Sequence, residues 1–229
     1  RGFSVVGIPG DADPMLASLR NTPLMAWNCA ADELVNLQDS EAAQQHLADL
    51  GLRHIEWLFP AADHLTLATN DEYAPGVEFL GSARVDRDPP HVTFVVNGVE
   101  DNVAATAVAD HAYWLSQVRA RDAAAPGTID VRSEGFGVAD APAGTVVEGA
   151  GALMDGAHGP MPYVSRTLEW GDAPAAPVAN VLHVAATNVS SVTIAPARAR
   201  VDCSARLDVT TDGPLTVTLE GCGSSSFAP

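Results

Sequence analysis

No lysine occurs in the 229 residues: all twelve basic side chains are arginine, set against 29 aspartates and glutamates, for a formal net charge of −17. A field of that sign repels phosphate backbones and anionic headgroups, so no nucleic-acid or membrane partner is expected. No apolar run approaches the ~20 residues that cross a bilayer. Cysteine is scarce, at three, and no CxxC spacing offers a zinc or redox site. The pairs Asp11/Asp13 and Asp86/Asp88 fall short of the six or more oxygens calcium takes, so they read as turns and no cofactor or metal is expected. What is plentiful is apolar side chain, 47% of the chain, enough for a sizeable core.

Two textures meet near residue 88. Before it, strand and helix signals alternate. Phe3–Ile8 and Leu24–Asn28 are short apolar runs, and a helix is expected over Glu41–Leu50, capped by Asp39 or Ser40 and stopped by Gly51. His54–Phe59 is the next strand, followed by the loop Ala61–Leu65 and two short helical stretches. After Pro89-Pro90, short β runs alternate with turn residues: His91–Val96, Ala112–Arg119, Thr128–Arg132, Val181–Ala185, Val192–Ile194, Val201–Val209 and Leu215–Leu219. The expected class is therefore α/β plus all-β: residues 1–88 as units of a parallel sheet, and residues 89–229 as an antiparallel β-sandwich. Gly223–Ser226 reads as a low-complexity tail.

The strongest chemical pair is Asp32 and His64. Each follows an apolar strand, in Cys29-Ala30-Ala31-Asp32-Glu33-Leu34 and Ala61-Ala62-Asp63-His64-Leu65, at the sheet edge where open α/β folds place active sites. The separation leaves room for one helix and one strand. Acid before histidine is the chain order of an α/β-hydrolase triad, whose imidazole takes the nucleophile's proton while the carboxylate fixes its tautomer. Glu33 and Asp63 are neighbouring alternative acids.

Residues 22–81, from TPLMAWNCAADELVNLQDS through HIEWLFPAADHLTLATNDEYAPGVEFLG, resemble the closing β/α units of α/β-hydrolases. The prolyl-oligopeptidase-like and esterase-like branches are nearest, in particular large secreted actinobacterial members with an appended β-domain. The resemblance implies that Asp32 is the acid and His64 the base of a serine hydrolase cleaving an ester or amide bond in a small-molecule, peptide or polymer substrate. It implies a secreted, extracellular bacterial protein, in keeping with a composition rich in Ala, Arg, Asp and Gly. The chain departs from the family in having no GxSxG and no HGGG-like oxyanion segment. It opens Arg1-Gly2-Phe3, so the expected source is a cleaved precursor whose N-terminal chain carries the nucleophile and stays bound. The alternative is a non-catalytic module that binds a polymer or cell-wall component.

Cys203 lies in one apparent strand and Cys222 follows another across the turn Thr211–Pro214. If those strands are antiparallel neighbours, a Cys203–Cys222 disulfide is expected, worth about 3 kcal/mol by loop closure. Cys29 is left over, as a buried small residue or a partner for a cysteine elsewhere. Asp110-His111 reads as structural. Tyr113, Trp114, Tyr163 and Trp170 read as core rather than as a binding platform. Asn188-Val189-Ser190 fits a glycosylation acceptor pattern.

Overall fold

The computed structural model describes residues 1–4, 8 and 10–229, the side chains of 10–13 excepted. Part of the first apolar run and the side chains of the aspartates at 11 and 13 therefore lie outside what is described. The protein is mostly β, with 38% strand against 17% helix, arranged in three mixed sheets. It divides into two units: 1–85 with 142–171, and 86–141 with 172–229. The texture change near residue 88 coincides with the first crossing, but the chain returns to the first unit before completing the second.

The first unit holds a five-stranded sheet. Strands β1 (Gly2–Ser4), β2 (Leu24–Cys29) and β3 (His54–Phe59) are parallel. The hairpin β7 (Val147–Leu153) and β8 (Met161–Leu168) extends the sheet antiparallel to β3, giving the order β1-β2-β3-β8-β7. Neither hairpin strand shows an apolar run; β7 reads VEGAGAL, and it forms because β8 offers seven partners in unbroken register.

Helix α1 (Leu37–Asp49) starts a few residues earlier than its apolar period suggests, because the Asn36 side chain accepts from the N–H of Gln38. It buries Ala43 and Leu47 with Leu52 and Ala26 of β2. The opposite sheet face packs Met25, Trp27, Cys29 and Phe59 with Leu67 of α2 (His64–Thr69) and Phe79 of α3 (Ala74–Leu80). Tyr163 stacks on Trp57 at 3.9 Å between ring centres, and Trp57 on Trp27 at 5.2 Å, so one aromatic column crosses β8, β3 and β2.

The second unit is a sandwich of two four-stranded sheets. One has the order β11-β9-β6-β4, from β4 (His91–Val96), β6 (Gly127–Ser133), β9 (Val181–Thr187) and β11 (Arg206–Thr211). The other has the order β13-β12-β10-β5, from β5 (Leu115–Ala120), β10 (Val189–Ile194), β12 (Leu215–Leu219) and β13 (Gly223–Phe227). Val92, Trp114, Ile129, Leu182, Ile194 and Leu215 lie in the core between them.

The expectation of a purely antiparallel sandwich is corrected: β9 pairs parallel with β11, and β10 parallel with β12. The chain switches sheets at each step from β9 to β12, so strands two apart in sequence, which run the same way, become neighbours. The switch from β9 to β10 takes one residue, Asn188, in the left-handed region at φ 53°. Its side-chain nitrogen reaches the carbonyls of Asp122, Ala125 and Pro126 at 3.0–3.2 Å, its oxygen accepts from Asp122 N–H, and its own N–H donates to Asp212.

Cys203 and Cys222 are bonded. The reason differs from the expected one: β11 and β12 lie in different sheets, and both cysteines sit in turns outside the strands. The bond therefore joins the turn that leads into β11 to the turn between β12 and β13.

Candidate functional site

The site is set by the register of β2 on β3, which ends with Cys29 opposite Phe59. Past the strand ends the two loops stay laced: Ala30 N–H donates to Phe59 O and Ala31 N–H to Ala62 O, both at 3.1 Å. Asp32 comes next on one loop. Its Oδ1 accepts from the N–H groups of Leu34 at 2.8 Å and Val35 at 2.7 Å, an Asx-type turn that closes the loop on the carboxylate. On the other loop Asp63 caps α2 by accepting from Thr66 N–H at 2.7 Å, which sets His64 as the first helical residue.

These two devices bring the pair together. His64 Nδ1 lies 3.0 Å from Asp32 Oδ2 and 3.2 Å from Oδ1. The Asp32 side chain is 2% exposed and that of His64 20%. Burial pushes the Asp32 carboxyl up, but the N–H groups of Val35 and Leu34 and the His64 ring outweigh it and hold the group below the usual carboxylate range. An acceptor-only carboxylate on Nδ1 makes that nitrogen the N–H of the neutral ring, so Nε2 carries the lone pair and is the basic atom.

Glu33 is exposed. Asp63 is engaged by its cap, and the Thr66 hydroxyl and N–H hold its carboxyl below the usual range. Cys29 is free and buried at the end of β2. Burial first, and the charges of Asp32, Asp63 and Glu33 after it, push its thiol up to about 12, far from a reactive thiolate. The aromatic residues singled out in the sequence serve packing: Trp114 is buried and donates to Pro89 O, and Trp170 donates to Gly51 O. Asp110 pairs with Arg119 at 2.7 Å and with an exposed His111 at 3.2 Å. Asp88 holds Arg198, and its N–H closes a turn on Asp86. Among the described residues no group of three or more His, Cys, Asp or Glu side chains is arranged to hold a metal ion.

Among the clusters that escaped sequence reasoning are two histidine sites. In the second unit His91 stands between Asp140, 2.7 Å from Nδ1, and Asp130, 2.7 Å from Nε2, tying β4 to β6 and to the loop after it. In the first unit His158, on the β7–β8 loop, lies 2.9 Å from Thr69 Oγ1 of α2 and borders a cavity of about 150 Å³. Nothing local marked either histidine; each is brought to its partners by strand pairing across 39 to 89 residues. No family model, curated protein or solved structure matches this chain.

Proposed function

We propose that this chain supplies the acid and base of a secreted serine hydrolase acting on an ester or amide, the nucleophile coming from a companion polypeptide of the same precursor. The observation that carries the reading is the Asp32–His64 contact: a buried carboxylate, fixed by two backbone N–H groups, on Nδ1 of a partly exposed imidazole, each beyond the end of adjacent parallel strands. In the reaction the serine oxygen adds to the substrate carbonyl as its proton passes to His64 Nε2. That proton then goes to the departing alcohol or amine, and water repeats the cycle to release the acid.

Two further features support a companion. Leu34, two residues after Asp32, and Leu65, next to His64, are 70% and 63% exposed, apolar side chains suited to being covered. Among the described residues β1 ends the strand order on the parallel side of the sheet, the side on which a companion's strands would continue it. Cys29 is buried, so the association would be non-covalent. The Cys203–Cys222 bond belongs to the kind that persists in oxidising compartments, in keeping with an extracellular location.

The test is to label the protein from its native source with a fluorophosphonate and locate the modified residue by mass spectrometry. A labelled serine on a co-purifying polypeptide, lost when His64 is replaced by alanine, is the expected result. A monodisperse 23.7 kDa species that takes no label would refute it.

A further inference from the structure

We infer that the cavity between α2 and the β7–β8 loop is the specificity pocket of this site, built to take a short, uncharged, apolar substituent of the substrate. The inference rests on the hydrolase reading for the identity of the substrate, but not for the existence of the pocket. Its walls are Phe59 at the end of β3, Ala61 and Ala62 on the loop carrying the base, Thr66 of α2, and His158 with Met161 from the hairpin. Ala62 and Thr66 are each two residues from His64, so the pocket and the base share one loop-and-helix segment.

The volume sets the size of the guest. About 150 Å³ is the scale of cavity that holds a benzene-sized molecule, roughly four to six non-hydrogen atoms. The lining sets its chemistry. Phe59, Ala61, Ala62, Met161 and the prolines 160 and 162 present carbon, and among the described residues no acidic or permanently charged side chain lines the cavity. Polar atoms come from Thr66 and His158. The Thr69 hydroxyl gives its single hydrogen to Leu65 O at 2.6 Å, so it accepts from His158 Nε2–H.

The wall formed by the hairpin loop is built in place rather than left to drift. Asn70, 1% exposed at the end of α2, accepts from Ala157 N–H through its carbonyl at 2.7 Å and from His158 N–H through its side chain at 2.8 Å. Its amide nitrogen reaches Asp155 O at 3.4 Å. Gly156 lies against the same asparagine at φ 93°, where a Cβ would come within 2.3 Å of Asn70 O, so only glycine fits that approach. A buried polar side chain devoted to one loop fixes His158 and Pro160 relative to α2. A preformed wall of this kind discriminates by size because it does not yield to a longer chain.

The experiment has two arms. In the first, hydrolysis by the native protein is measured on 4-nitrophenyl acetate, butyrate, hexanoate and octanoate, and on a matching series of alkyl acetates. One of the two series should peak at four to six carbons and fall at least tenfold at eight. Ala61→Leu, which narrows the pocket from its exposed rim, should shift the butyrate-to-acetate preference at least fivefold toward acetate in that series. In the second arm, the Met161 methyl resonance is followed on addition of n-butanol and n-octanol. A saturable shift with butanol, weaker with octanol and reduced in Ala61→Leu, is expected whether or not any ester is turned over. If no ester is hydrolysed but Met161 responds, the pocket stands and the hydrolase reading falls. If esters are hydrolysed with no length preference, or Met161 fails to respond, the pocket inference is overturned.

Discussion

Replacing Asp32 by asparagine isolates the chemical step on which the reading depends. The side-chain oxygen of the new amide can still accept from Leu34 and Val35 N–H, so the loop should keep its shape. The amide nitrogen then faces His64 Nδ1 with hydrogens instead of a lone pair. The ring must accept there, which moves its own hydrogen to Nε2 and removes the basic atom. Two charge-assisted backbone bonds become neutral ones and the ion–ring contact is lost, a difference of about 1–2 kcal/mol in unfolding free energy at neutral pH.

The sign of the pH dependence follows from the direction of the Asp32 shift. The folded state holds this carboxyl below its ordinary value, so its stabilisation is complete above about pH 4 and is lost as pH falls through the folded value. The part of the gap between wild type and Asp32→Asn that comes from this carboxyl should therefore close as pH falls below about 4. Long-range 1H–15N correlation spectra read the tautomer directly: Nδ1–H on His64 in the wild type, Nε2–H in the variant. Where turnover is measurable, Asp32→Asn should lower kcat by about four orders of magnitude and His64→Ala by about six. A variant that retains the Nδ1–H tautomer, or whose stability gap fails to close in strong acid, refutes the reasoning.

Three other outcomes test the fold of the two units. Reducing the Cys203–Cys222 bond, whose ends are 19 residues apart, frees that loop in the unfolded chain, so stability with and without reductant should differ by about 3 kcal/mol, and intact mass should rise by two hydrogens; an unchanged mass means free thiols. Asn188→Ala removes the side chain that joins the β9–β10 switch to the 122–126 loop and should lower stability by about 2–4 kcal/mol in urea titration, whereas a loss within error would mean the hub is dispensable. Gly76→Ala in α3 puts a methyl 2.2 Å from the Phe3 ring, itself held edge-on against Trp27, and should cost about 1–3 kcal/mol instead of gaining helix propensity; a stabilised variant would show that Phe3 yields freely.

The parts of the fold legible in the sequence are those whose signal is local. β2, β3, β4 and β12 are unbroken apolar or alternating runs, and the loops after β2 and β3 stand out because polar residues follow apolar strands abruptly. The hairpin β7–β8 and strand β13 were not legible. Gly149 and Gly151 dilute β7, a proline sits at the second residue of β8, and β13 is largely serine. Their extended state is imposed by partners outside their own sequence, β3 for the hairpin and β12 for β13. The parallel pairing in the sandwich was hidden for a related reason. A one-residue connection such as Asn188 normally announces two paired strands, and nothing in the side chains of β9 or β10 says that the turn leads to the opposite sheet.

The same distinction explains why Asp32 and His64 were visible while the cavity bordered by His158 was not. Asp32 and His64 are placed by short-range devices: a strand end, an Asx turn and an N-cap, each written within a few residues of the group it sets. The pocket needs a strand pair that closes a long stretch of chain, because β8 must first lie on β3 before the 155–160 loop can reach α2. The aromatic column makes that docking specific. Tyr163 of β8 stacks on Trp57 of β3, which stacks on Trp27 of β2, so the register that presents His158 to Thr69 is coupled through packed rings to the register that presents Asp32 to His64. A slip of either pairing by one residue would turn the rings to the opposite face of the sheet and dismantle both contacts together. The hairpin is therefore more than an added edge: it ties the geometry of the Asp32–His64 pair and the shape of the cavity lined by Ala62 and Thr66 to one continuous core.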